Sequence, residues 1–87
     1  MRLDKYLKIS RVIKRRTIAK DVIDLGFVRI NGRNAKPSSE VNIGDEIVLT
    51  LGNRILTIRV TSLKLVSKKT DSDEMYEIID DKTIEAL

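Results

Sequence analysis

Ser10–Gly32 reads SRVIKRRTIAKDVIDLGFVRING, and the fold turns on how that stretch is read. A basic run, an amphipathic helix, a glycine stop and a strand ending in Asn-Gly follow one another within it. From Arg15 to Leu25, the apolar Ile18, Ala19, Val22, Ile23 and Leu25 recur at the spacing of one helical face. At about 100° per residue they fill an arc of roughly 160°, wide enough to be buried against a sheet. Gly26 stands where a left-handed C-terminal cap needs a residue without a Cβ. Phe27–Asn31 follows as a strand in which Val28 and Ile30 alternate with Arg29. Asn31-Gly32 is a strong hairpin signal and makes Arg33–Lys36 the return limb.

The start of this helix is costly. No Ser, Thr, Asp or Asn occupies the expected cap position near Lys14, and Lys14, Arg15 and Arg16 crowd the positive end of the helix dipole. Each such charge costs on the order of a few tenths to 1 kcal/mol. A docked polyanion would reverse the sign, because backbone N–H groups and guanidinium groups would then point at phosphate together. A solvated basic face is the plainer reading. The coincidence of local cost and cation density favours a phosphate-binding face, with Lys20 beside Arg16 one turn on.

On the N-terminal side, Arg2–Ile9 reads as a short helix with Leu3, Tyr6 and Leu7 on one side and Asp4 placed to pair with Lys8; Ser10–Ile13 is a connector. On the other side, Pro37-Ser38-Ser39 ends regular pairing. Glu46–Leu51 is a strand with Ile47, Leu49 and Leu51 on one face. Gly52-Asn53 turns the chain into Arg54–Leu65, with Leu56, Ile58 and Val60 inward. Residues 67–74 form a polar loop, Met75–Ile79 a last short strand, and Asp80–Leu87 a frayed tail or marginal helix. The expected architecture is α+β, a single domain over residues 1–87 with two N-terminal helices packed on a small, mostly antiparallel sheet.

The 87 residues are 41% hydrophobic and 34% charged, a globular profile. There is no Cys and no His, which removes disulfides, thiolate or imidazole metal sites and the usual general base. No catalytic residue, metal, cofactor or small-molecule substrate is expected. The N-terminal residues carry a charge every few positions and no run nears the roughly 18 apolar residues of a membrane span, so the expected location is cytoplasmic. Residues 1–36 hold eleven Lys/Arg against three Asp, whereas residues 37–87 hold six Lys/Arg against ten Asp/Glu. Nucleic acid is the expected partner of the basic half. An anionic membrane fits less well, since the helix has no Trp/Phe/Leu face to insert.

RLDKYL at 2–7, KRRTIAKDVIDLG at 14–26, VRING at 28–32 and KPSSEVNIGDEI at 36–47 closely resemble the S4-type RNA-binding domain. The resemblance covers about residues 2–51 and implies that the two helices and the loop before the second form the RNA face. The whole chain is similar to the short, stand-alone members of this family that act in ribosome-associated quality control. For those, the resemblance implies binding to the rRNA of a large (50S) ribosomal subunit obstructed by peptidyl-tRNA, and to the tRNA itself. It also implies an RqcH-type factor as partner while alanine tails are added to the stalled chain. Assembly or heat-shock recycling of the large subunit is the alternative task. A monomer is the expected state.

Carried over by position, Arg2, Arg11, Arg15 and Arg16 would face rRNA, and Lys14 and Lys20 complete that set. Lys5, Lys8, Arg29, Asn31, Arg33 and Lys36 form a secondary set, its strand-region cations being candidates for tRNA. Lys14 stands where many family members place a capping Ser. Tyr6 and Phe27, two of only three aromatic residues, are expected in the core. Without a base-stacking platform, recognition is expected to follow the shape and backbone of folded RNA. Two other functions compete with RNA binding. An enzyme would have to use Asp4, Asp21 and Asp24, which are scattered at helix-surface spacing. A protein adaptor would use the acidic second half, in particular Glu40, Asp45 and the 71–81 cluster.

Overall fold

The computed structural model describes residues 1–64 and 75–84. Two helices, α1 (Leu3–Ile9) and α2 (Arg16–Asp24), precede β1 (Val28–Ile30), β2 (Arg33–Asn34), β3 (Glu46–Leu51), β4 (Arg54–Val60) and β5 (Tyr76–Thr83). The strands form one antiparallel sheet in the order β2-β1-β3-β4-β5. This is the expected α+β arrangement of two helices on one sheet.

The local signals explain the elements. Gly26, at φ +85°, closes α2 with both bonds of a Schellman cap: its N–H donates to Ile23 O and the Phe27 N–H to Val22 O, each at 3.0 Å. Asn31 and Gly32, at φ +51° and +81°, make the two-residue turn that sets Ile30 opposite Arg33. Alternation then sorts the sheet. Val28 pairs with Leu49, Ile47 with Ile58 and Leu49 with Leu56, and these buried residues meet Leu3, Tyr6, Leu7 and Ile23 of the helices in one core. The other face carries Arg29, Val48, Thr50 and Ile55. At the far edge, the buried Tyr6 hydroxyl donates to Met75 O at 2.7 Å and ties α1 to the start of β5.

Four expectations are corrected. The apolar arc of α2 is buried only at Ala19 and Ile23; Ile18 is 48% and Leu25 67% exposed. Phe27, expected in the core, is 45% exposed. The return strand stops at Val60, with no regular structure over 61–64. Residues 80–83 are neither tail nor helix. They continue β5, where Asp81 pairs side-on with Arg54 at 2.7 Å and Lys82 reaches Asp80 at 3.4 Å. The loop expected at 67–74 lies outside the described residues.

Candidate nucleic-acid interface

The two helix N-termini are handled in opposite ways. In α1 each N–H of the first turn has a partner: Leu3 donates to Ser39 O at 2.8 Å, Asp4 to Pro37 O at 3.1 Å and Lys5 to Asp4 Oδ1 at 2.8 Å. The segment 36–41 is therefore the cap of α1. It is pinned again by the Val41 N–H to Met1 O and by the bridge between Arg2 and Glu40. In α2 the cap position falls on Arg15 rather than Lys14, in extended conformation and with no side-chain cap bond. The N–H groups of Arg16, Thr17 and Ile18 find no partner among the described residues, and no acidic side chain stands in the first turn. Lys14, Arg15, Arg16 and Lys20 are all exposed around this end.

Asp4 links this end to α1. The sequence suggested an Asp4–Lys8 pair along the α1 surface; instead Asp4 is 3% exposed and turns toward two arginines. Arg2 approaches it side-on, Nε to Oδ1 at 3.2 Å and Nη2 to Oδ2 at 3.3 Å, and Arg16 Nη2 reaches Oδ1 at 3.4 Å. Both arginine side chains remain about half-exposed, 52% and 48%, so each guanidinium keeps donors for a ligand. Burial pushes the Asp4 carboxyl up, but hydrogen bonds from Arg2, Arg16 and the Lys5 N–H outweigh it and leave the group below its ordinary value. Asp4 is thus ionised at neutral pH and holds Arg2 and Arg16, 14 positions apart in the sequence, at one place. A signal for it exists in the sequence. Asp4 lies about 60° around the helix from Leu7, on the edge of the apolar face, where a carboxylate requires cationic partners.

Arg11 completes the primary set. It is the first residue beyond the α1 cap and takes φ +65°, its N–H bonded to Lys8 O at 3.1 Å. A cation in the left-handed region is a glycine position given to arginine. Lys8 is exposed at the end of α1 and Lys5 half-buried.

The secondary set is dispersed. Arg29 lies on the sheet face opposite the helices, paired across strands with Val48. Arg33, on the β2 edge, lines a hollow of 510 Å³ with Glu40, Asn42 and Asp45. Lys36 is exposed in the turn that caps α1. The Asn31 amide is occupied at both ends: its nitrogen donates to Asp45 Oδ1 at 3.1 Å and its oxygen accepts the Glu46 N–H at 3.0 Å. It fastens the hairpin to β3. Among the described residues no group of His, Cys, Asp and Glu could hold a metal, and no helix is long and apolar enough to cross a membrane.

The family model described as the S4 domain matches residues 1–47. The RQC P-site tRNA stabilizing factor of Streptococcus pneumoniae is 47% identical over 98% of this chain and 97% of its own length. The protein of the same name from Bacillus subtilis is 48% identical, covering 97% and 98%. Among solved structures, the trimeric heat shock protein 15 of Vibrio cholerae superposes with a TM-score of 0.82 at 33% identity, over 90% of this chain and 80% of that one.

Proposed function

The chain belongs to the S4 domain family, among the RQC P-site tRNA stabilizing factors, and on that premise we propose that it is a non-catalytic protein that binds rRNA and peptidyl-tRNA on obstructed large (50S) ribosomal subunits. The observation that carries this reading is the open N-terminus of α2, where three N–H groups beside Arg15 and Arg16 find no partner among the described residues and Arg2 is joined to Arg16 through Asp4. Backbone donors and guanidinium forks at one helix end suit phosphate oxygens of a folded RNA. In this reading rRNA lies across Arg2, Arg11, Lys14, Arg15, Arg16 and Lys20. The tRNA meets the strand-region cations Arg29 and Arg33.

The protein contributes position rather than chemistry. It acts in the cytoplasm as a monomer, steadying the tRNA while an RqcH-type factor directs alanine addition to the stalled chain. Similarity to heat shock protein 15 favours a second reading, a recycling factor for the large subunit that works without tailing. Both readings predict that Arg16→Ala weakens co-sedimentation with large subunits and lowers the log–log salt slope by about 0.7–0.9 for each phosphate no longer neutralised. Unchanged association and slope would sink both. Loss of alanine tails in cells carrying that variant selects the first reading, and intact tails select the second.

A further inference from the structure

Phe27 is the largest apolar side chain on the surface that a core of this size could have used. The chain fully buries the smaller Val28 and Val41 yet leaves Phe27 45% exposed. Leaving such a ring partly in water forgoes part of the roughly 1.5–3 kcal/mol that full burial brings. Phe27 occupies position C″ of the α2 cap, where a hydrophobic side chain usually packs on the helix it closes.

The backbone beneath that ring is fixed from both directions. The Phe27 N–H donates to Val22 O at 3.0 Å and its carbonyl accepts the Thr50 N–H at 2.8 Å. Phe27 lines a 220 Å³ hollow together with Gly26, Arg29, Val48, Thr50 and Ile55. An aromatic residue, the apolar Val48 and Ile55, a threonine and an arginine therefore line one recess, its strand residues on the sheet face away from the helices.

We propose that this recess is a stacking subsite for one unpaired nucleobase of RNA, the base lying on Phe27 and its phosphate on Arg29. The inference rests on the RNA-binding reading and deepens it. Stacking is tolerant of base identity because every base has a π-face, and an adjacent guanidinium anchors the backbone that carries it. A rigid platform also binds at lower entropic cost than a mobile one. Recognition would then combine backbone contacts at the α1–α2 junction with a single-stranded contact across the sheet.

The test uses the full chain and a short single-stranded oligoribonucleotide carrying 2-aminopurine, whose fluorescence falls when the base stacks. The protein has no Trp, so the probe is read without interference. Binding to the wild type should quench the probe. Phe27→Leu, which keeps apolar bulk but not the flat ring, should bind about 5- to 150-fold more weakly and leave the probe bright at saturation. Phe27→Tyr should restore quenching. Arg16→Ala should weaken binding while saturation still quenches, which separates this subsite from the other RNA face. Equal quenching by wild type and Phe27→Leu overturns the subsite and leaves the RNA reading standing; absence of any RNA binding by the wild type overturns both. If Phe27→Leu leaves RNA binding unchanged and instead alters self-association on sedimentation, the recess is a protein interface and the proposal falls.

Discussion

Replacing Asp4 by asparagine tests whether a buried carboxylate anchors the basic junction. The amide keeps one acceptor oxygen but turns an NH2 group toward guanidinium groups that bring only donors. In the wild type two arginines reach the carboxylate at 3.2–3.4 Å, longer than the best charge-assisted bonds, and both are half-exposed. The loss should therefore fall at the low end of the range for hydrogen bonds to charged groups, about 1–2 kcal/mol. For a domain of this size that corresponds to a melting point lowered by roughly 5–12 °C at pH 7. The pH dependence is specific. Because the folded Asp4 pKa lies below the unfolded one, its contribution is fully present above about pH 4–5 and fades as pH falls through the lower folded value. The gap in urea midpoint between wild type and variant should narrow below about pH 4. RNA binding should lose selectivity, since freed arginines bind any phosphate but are no longer set at one spacing. An unchanged melting point at pH 7, or a gap that stays constant through acid titration, would refute the anchoring role.

Two further substitutions separate stability from binding. Arg11→Gly removes the strain of a non-glycine residue at φ +65°, about 1–2 kcal/mol, against roughly 0.5–1 kcal/mol of added backbone entropy. Thermal melts should show equal or slightly higher stability, while the RNA salt slope drops by about 0.7–0.9. Asn31→Ala should cost about 2 kcal/mol in urea unfolding, because it removes the bonds to Asp45 and the Glu46 N–H at a left-handed position, yet its salt slope should match the wild type.

What the sequence made legible was local and periodic. The Gly26 stop, the Asn31-Gly32 turn and the alternation of Ile47, Leu49, Leu56, Ile58 and Val60 all rest on backbone geometry or period, and each is found as read. What it concealed depends on the surface that neighbours offer. Six apolar positions on and just after α2 could not all be covered, because α2 meets a three-residue β1 and a two-turn α1, so Ile18, Leu25 and Phe27 face outward. Charged Asp80, Asp81 and Lys82 looked like a tail because period-2 burial vanishes on an edge strand, whose stability comes from the β4 ladder and pairs such as Arg54–Asp81. Among the site residues, the cations were legible as composition. Their convergence was not, since it depends on a carboxylate whose partners lie two and twelve residues away.

The contrast between the two helix ends bears on why the cations are kept. A carboxylate at position 14 or 15 would cap α2 and oppose its dipole, the usual remedy for an uncapped helix. The chain instead places its buried carboxylate in the first turn of α1, where that dipole favours it, and lends it to Arg2 and Arg16. A cap on α2 would satisfy its N–H groups and neutralise the cluster together, leaving nothing for an anion to bind. Anchoring the arginines from α1 fixes their spacing while α2 stays open. On the proposed function, local instability at the α2 N-terminus is the physical condition for phosphate affinity there, and a stabilising cap is the change that such a site would least tolerate.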